Sequence, residues 1–307
     1  MAEEVTVSTA AVGIAQRRAQ RKLGYHLRRV PPVVWLCGLI MVSMVLAAAF
    51  APLLAPRDPF EQSLLLRLTP PSWLEEGEPG YLLGTDEFGR DILSRMLHGA
   101  RVSLGIGLLG VSIGTALGSL LGMLAGYFAG PVDELIMWFA DMQLAFPFIL
   151  LAIAIIAVLG PDSGDLPIKL VIIVGISGWM TYARVCRAVV LTLKEREFVQ
   201  AVNALGGSDG RILFRHILPN ILSPIIVLAT LDLARLIILE STLSFLGLGV
   251  QPPRPSWGGM LGQGREYLDT AWWLSTFPGL AIMLTTLAIS RGGDWLRDVL
   301  DPTLRSG

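Results

Sequence analysis

The sequence predicts an all-α membrane protein with six transmembrane helices and both termini on the inner side (N-in/C-in). Three observations carry this reading. Of 307 residues, 53% are hydrophobic and only 16% are charged, against about 25% charged in a soluble globular chain. The charges gather between long apolar runs instead of spreading through them. Most of those runs reach bilayer length, about 20 residues at 1.5 Å each across roughly 30 Å of hydrocarbon. A bilayer, not an unusually large core, is the solvent that suits this pattern.

Residues 1–32 form an inner N-terminal segment. Its first 12 positions are small and polar and are expected to be disordered. Positions 14–29 then hold Arg17, Arg18, Arg21, Lys22, Arg28 and Arg29 with no acid among them. A basic stretch just before an apolar run marks a cytoplasmic flank; a solvated charged helix would fit the same placement. The first apolar run is too long for a signal peptide and lacks a small-residue cleavage site, so it reads as a retained helix.

That run, residues 33–56, has no charge over 24 positions and forms the first span. Residues 57–100 are polar, with Glu75, Glu76 and Glu78 beside Pro70, Pro71 and Pro79. This segment reads as extracytoplasmic, ending in an interfacial helix. Val102 to Val132 is uncharged for 31 residues, too long for one straight span unless it tilts or leaves the bilayer. Met142 to Pro161 supplies the third span. The fourth is weaker: Lys169 and Arg184 bracket only 14 uncharged residues, and both side chains must snorkel to the interfaces. Ile217 to about Leu239 supplies the fifth, Thr270 to Ser290 the sixth, and 293–307 an inner tail.

Loop charge agrees with this orientation. The inner segments (1–32, 128–135, 184–216 and 291–307) carry 15 Lys/Arg and the outer ones 8, with Arg235 inside a span. The bias has the sign of the positive-inside rule, although the long outer segment counts weakly under it. Six spans also return both ends to one side.

Several functions are excluded. A net charge of -1 suggests no nucleic-acid partner. Cys37 and Cys186 stand far apart in or beside apolar runs and read as buried thiols. None of the three lysines, Lys22, Lys169 and Lys194, follows a glycine, so the chain has no phosphate-binding loop ending in Gly-Lys-Ser/Thr. His26, His98 and His216 lie outside the apolar runs, which argues against a haem-holding membrane subunit.

The inner segment 191–219 is the most informative. It contains EFVQAVNALGGSDGRILFRHILP (197–219), where Phe198, Val199, Val202 and Leu205 follow a helical period. Gly206 and Gly207 break that helix, Ser208 and Asp209 suit the N-cap of a second, and Pro219 opens the next span. Two readings are open for this exposed apolar helix pair. It can lie on lipid, or it can be a knob that docks into a groove on a cytoplasmic partner.

Residues 200–219 resemble the EAA loop of ATP-binding-cassette (ABC) importer permeases. That pattern is Glu-Ala-Ala, three residues, Gly, nine residues, then Ile-x-Leu-Pro. Ala201, Gly206, Leu218 and Pro219 match, whereas Gln200 replaces the acid, Val202 the second alanine and His216 the isoleucine. In that family the loop is the coupling helix seated on the ATPase subunit. The resemblance therefore implies ATPase coupling by Glu197, Gln200, Ala201, Ala204, Leu205, Gly206, Arg211 and Arg215, with Glu197, about one turn earlier, standing in for the missing acid. LGTDEFGRDILSRMLHGARVSL (83–104), the Ala145–Pro147 motif, ESTLSFLGLGVQPPRPSWGGML (240–261) and LRDVLDPTLR (296–305) resemble the second permease of dipeptide/oligopeptide/nickel importers. Ser290-Arg291 departs from the asparagine more common there.

The resemblance implies a type I ABC importer transmembrane fold with residues 101–292 as the permease core. It implies a non-catalytic subunit without a cofactor of its own, ATP and Mg being bound by partners. The implied partners are a homologous second permease, two cytoplasmic ATPase subunits, an extracytoplasmic substrate-binding protein and membrane lipid. The substrate is a di- or oligopeptide, with nickel or oligosaccharide as alternatives. A stand-alone secondary transporter would need no ATPase and often shows inverted repeats, none of which is evident. An anchoring enzyme subunit should show cofactor ligands.

Other motifs read mainly as structure. Asp91 suits a helix cap, and Gly84 and Gly89 permit turns around Asp86. Trp257, Trp272 and Trp273 suit an outer aromatic belt. The prolines between Gln251 and Pro255 stiffen a loop that could meet the binding protein. Gly110, Gly114, Gly118, Gly122, Gly126 and Gly130 recur every four residues, a groove for close helix packing. Asp232 and Arg235 are three apart and can pair. With Glu240 they either line or gate a route for a zwitterionic peptide, or form a structural pair.

Overall fold

The computed structural model describes residues 31–159 and 167–300. The leader expected to be disordered, the basic flank, the end of the third run beyond Leu159 and the last seven residues lie outside the described residues. Among the described residues, regular structure is helical apart from an isolated bridge between Thr85 and Asp91.

Helix α1 (Pro32–Ala49) starts with proline in its first turn, where a missing N–H costs nothing. Its apolar side chains are mostly exposed, including Val33, Trp35, Leu36 and Leu39, as a lipid-facing helix requires. The chain then makes a knot of turns before α2. Gly89 is fixed at φ +72°, and a Cβ there would lie 1.8 Å from the Ser63 carbonyl oxygen, so only glycine fits. Asp86 ties the knot: its Oδ1 accepts from the Phe88 and Arg90 amides at 2.9 and 3.0 Å. Its Oδ2 meets Arg90 Nε at 2.7 Å and Arg95 Nε at 3.3 Å. The turns expected around Asp86 are present.

Helix α2 (Ile92–Phe128) is capped by Asp91, whose Oδ2 accepts from the Ser94 amide at 2.8 Å. Its 37 residues span about 55 Å, more than the hydrocarbon. The expected interfacial helix is therefore not a separate element; its residues are the first turns of α2. The helix stops at Phe128, short of the expected Val132, because Ala129 takes φ +54°.

Helices α3 (Gly130–Ala145) and α4 (Phe148–Leu159) meet at 92°, so the third run is not one straight helix from Met142. Pro147 supplies the reason: it pushes the preceding residue out of the helical region, and Phe146 is extended at φ -104°, ψ 131°. Helices α5 (Ile168–Ile176) and α6 (Trp179–Lys194) are bent by 41° at Ser177-Gly178. Helix α7 (Glu197–Ala204) is followed by a turn at Asp209–Arg211, a π-helical turn at Ile212–Ile217 and helix α8 (Leu218–Phe245). The last three run on as one helix from Asp209 to Phe245. The second helix expected after Gly206-Gly207 is thus the root of the fifth span; Ser208 sits at its N-cap without a side-chain capping bond. Helices α9 (Trp257–Gly264) and α10 (Trp273–Leu300) complete the order.

Among the described residues, four helices are long and apolar enough to cross a membrane, and six crossings result if each bent pair is one span. The fifth and sixth run longer than expected, ending at Phe245 and Leu300. Helix α2 is the central post, packed against α1, α5, α6 and α8. One apolar core gathers Ile106, Val111, Val174 and Leu236 between α2, α5 and α8. A second, towards residues 191–219, gathers Met123, Val190, Val199, Ile212 and Ile221. The aromatic belt needs correction. Trp257 and Trp273 are buried, with Nε1 donating to the Met96 and Thr85 carbonyls at 3.1 Å each. Only Trp272 of the three is exposed. An indole satisfied by a backbone carbonyl can leave the interface.

Candidate functional site

At one end of the bundle, α7 is anchored by its apolar inner face. Val199 is buried in the core of α6 and α8, and Val202 packs against it. The opposite face is open: Phe198, Gln200, Ala201, Ala204, Leu205 and Gly206 are exposed, as are Glu197, Arg211 and Arg215. Leu205 is 87% exposed. Covering such a side chain stabilises a complex by about 1.5–3 kcal/mol. Gly206, at φ +79°, supplies the left-handed residue that ends α7. A cleft of about 400 Å³ lies beside it, lined by Val202, Leu205, Gly207, Arg211, Arg215 and His216. All eight residues expected on this surface are exposed, and three of them, Leu205, Arg211 and Arg215, line the same cleft.

Tyr127, which the sequence did not single out, braces this surface. Its hydroxyl donates to Asp209 Oδ1 at 2.7 Å, and its carbonyl accepts from Lys194 Nζ at 2.7 Å. Lys194 ends α6 and Asp209 begins the root of α8, so the tyrosine grips both flanks of α7.

The second region surrounds the bend between α5 and α6. Arg235 Nε donates to Asp232 Oδ1 at 2.6 Å, so the expected pair exists. Tyr182 Oη donates to Asp232 Oδ2 at 3.1 Å, and Arg235 Nη2 reaches Ser177 Oγ at 3.4 Å. A Cβ on Gly178 would lie 2.8 Å from Asp232 Oδ2. On the other side of the bend, Gln143 of α3 donates to the Ile176 carbonyl at 3.0 Å and accepts from Trp179 Nε1. The Arg235 side chain is 50% exposed and Asp232 11%. A guanidinium is therefore presented beside a sheltered carboxylate within a helix long and apolar enough to cross a membrane. Two further pairs, Arg184–Asp141 and Arg187–Asp133, tie α6 to α3.

Glu240 does not belong to that region. It lies five residues beyond Arg235, about 140° round the helix, and is fully buried. Ser244 Oγ donates to its Oε1 at 2.7 Å, Ser241 Oγ lies 3.5 Å from Oε2, and Ser103 and Ser256 also bond to the carboxyl. Ser256 caps α9 by accepting from the Gly259 amide, and Ser103 accepts from the Trp257 amide. Glu240 thus joins α2, α8 and α9, which is positioning rather than lining.

The glycine period forms the α2–α6 contact. Cβ atoms on Gly118 and Gly122 would lie 2.2 and 2.3 Å from the carbonyl oxygens of Trp179 and Ala183. The Cβ of Gly126 would lie 2.9 Å from the Arg187 carbonyl oxygen of α6, and that of Gly114 2.8 Å from the Gly175 carbonyl oxygen of α5, so the groove continues onto the neighbouring helix. Gly130 is not part of the groove: it stands past the end of α2 with nothing within 4 Å.

A family model described as "Binding-protein-dependent transport system inner membrane component" matches residues 118–306. The di/tripeptide transport system permease protein DppC of Pseudomonas aeruginosa (strain UCBPP-PA14) is 49% identical over 268 residues, covering 87% of each chain. The dipeptide transport system permease protein DppC of Escherichia coli (strain K12) is 46% identical over 269 residues, covering 87% of this chain and 88% of that one. A putative peptide transport system permease protein of Brucella suis is 42% identical over 97% of this chain and 94% of its own. Among solved structures, an inward-facing MetNI methionine ABC transporter chain matches with a TM-score of 0.51 at 19% identity. It covers 67% of this chain and 96% of that chain, a likeness of fold.

Proposed function

The chain belongs to the family of binding-protein-dependent transport system inner membrane components, and from that premise we propose that its exposed α7 surface takes the stroke of a separate ATPase. It is a multi-pass inner-membrane permease subunit of an ABC importer, and the peptide-transport names of its relatives make a di- or oligopeptide its cargo. Six spans with both ends inside would put α7 in the cytoplasm. The partners are then a second permease completing the path, two ATPase subunits and an extracytoplasmic binding protein. The chain itself does no chemistry; ATP and Mg belong to the ATPases.

The observation that carries this reading is the build of α7. A helix rooted by Val199 and Val202 yet presenting Phe198 and Leu205 to solvent is a knob without its socket. A push on it travels through the root into α6 and α8, and through the glycine contact into α2. Rigid-body rocking of these helices would switch the path between faces. Within the fifth span the half-exposed Arg235 guanidinium, held by Asp232, offers a positive charge to a peptide's carboxylate end.

Copurification tests the reading. The tagged chain should bring down two ATPases and a different permease, and Leu205→Asp should lose the ATPases while keeping the permease. Wild-type chain that retains no ATPase, or that alone moves peptide into liposomes at full rate, would overturn it.

A further inference from the structure

The segment that carries α7 is compliant at three places. Gly206 and Gly207 separate α7 from the root of α8, a π-helical turn spans Ile212–Ile217, and Pro224 interrupts the hydrogen-bond ladder of α8. A displacement of α7 could be absorbed there. The residue that reaches across the first of these, the glycine break, is Tyr127, near the end of the long central helix α2. Its side chain reaches Asp209, the first residue of the helix that starts after the glycine break. Its backbone carbonyl belongs to the last turn of α2, which lacks intrahelical partners, and it is filled by Lys194 from the end of α6. The Lys194 ammonium also stands 5.7 Å from the Tyr127 ring centroid. One residue thus holds both flanks of α7 to the post that packs against α5, α6 and α8.

We infer that Tyr127 is the positioning residue that carries the displacement of α7 into α2, so that ATPase closure moves the path instead of bending the loop. This rests on the proposed role of α7, which is a separate question in the test below. The Tyr127–Asp209 bond needs an acceptor at residue 209 and a hydroxyl at residue 127, so the two side chains should act as a unit.

The test uses the whole complex in proteoliposomes, with its binding protein and radiolabelled dialanine as the probe. Bound ATPase, ATP hydrolysis and uptake per ATP are read separately. Tyr127→Phe should retain ATPase in wild-type amounts and lose roughly three- to tenfold in uptake per ATP, the scale of one ordinary solvent-accessible hydrogen bond. Asp209→Ala should do the same. Asp209→Asn, which keeps an accepting oxygen, should stay within about twofold of wild type. Tyr127→Phe with Asp209→Ala should be no worse than either alone. Unchanged uptake per ATP in Tyr127→Phe, or additive losses in the double variant, overturns the inference while leaving the α7 reading intact. A wild-type complex without bound ATPase overturns the reading beneath it. If Tyr127→Phe does not assemble, the contrast between Asp209→Ala and Asp209→Asn decides the same question: a loss in the first alone supports the bond, and equal losses in both refute it.

Discussion

Replacing Gly118 by alanine adds one methyl at the tightest point of the α2–α6 contact. That methyl would stand 2.2 Å from the Trp179 carbonyl oxygen and 2.7 Å from Tyr182 Cβ. A Cβ cannot rotate away, so the backbones must part until the first distance reaches at least 3.0 Å, an opening of about 0.8 Å. A gap of that size forfeits a quarter to a half of the dispersion energy at each affected contact, and overpacking of this kind costs about 1–3 kcal/mol. The obstacle is backbone, which puts the cost near the upper end. Alanine's better helix propensity offsets up to about 1 kcal/mol. A net loss of about 2 kcal/mol remains, roughly thirtyfold in the unfolding equilibrium. Gly105→Ala is the control. It makes the same chemical change in the same helix, but its methyl would meet nothing within 4 Å, so it should be neutral or slightly stabilising. The assay is equilibrium unfolding of the purified chain in mixed micelles, followed by circular dichroism. Equal stability of the two variants would refute the packing argument.

Four other outcomes are expected. Gly118→Leu or Gly122→Leu should lower both complex yield and transport, since a larger group meets the same carbonyls; normal values in both would refute the contact. Neutralising the ion pair with Asp232→Asn and Arg235→Gln should raise the peptide concentration needed for half-maximal uptake at normal expression. Unchanged kinetics would mark the pair as structural. Glu240→Ala should cost about 3–5 kcal/mol in the unfolding assay through unpaired serines and a cavity, and Glu240→Gln much less; equal costs would argue against the serine cage. Glu87, in the turns before α2, has an Oε2 without a hydrogen-bond partner, and burial raises its pKa above the ordinary 4.5. The folded chain therefore binds more protons than the unfolded one just above pH 4.5, so stability falls as pH rises through that window. Glu87→Gln should flatten this slope and gain slightly in stability at neutral pH, as read by melting temperature across pH; an unchanged slope would contradict the burial argument.

The α7 surface was the most legible part of the fold. Its apolar period and the Gly206-Gly207 break are local signals, and local signals survive folding; the boundary expected at Pro219 does not appear, because the helix runs through it from Asp209 to Phe245. Helix ends were legible where a side chain makes the cap, as Asp91 does for α2. They were not legible where backbone geometry decides: hydropathy records the absence of charge between Met142 and Pro161 and is blind to a 92° turn at Pro147. The Asp232–Arg235 pair followed from spacing alone, whereas Glu240 was misgrouped because five residues on a helix point elsewhere. Trp257 and Trp273 looked like interface anchors because sequence does not reveal a carbonyl waiting for an indole N–H. Tyr127 escaped notice for a similar reason. Its partners are 67 and 82 residues away, and the only hint is a tyrosine in the last part of a long uncharged run.

The most direct test of the central claim is the reactivity of a cysteine at position 205 towards a membrane-impermeant maleimide. Both native thiols, Cys37 and Cys186, are buried, so the Leu205→Cys signal stands on a low background. Labelling is expected in inside-out vesicles stripped of ATPase, should be blocked when purified ATPase is added back, and should be absent in right-side-out vesicles. Labelling from the outer face, or labelling indifferent to the ATPase, would contradict the account.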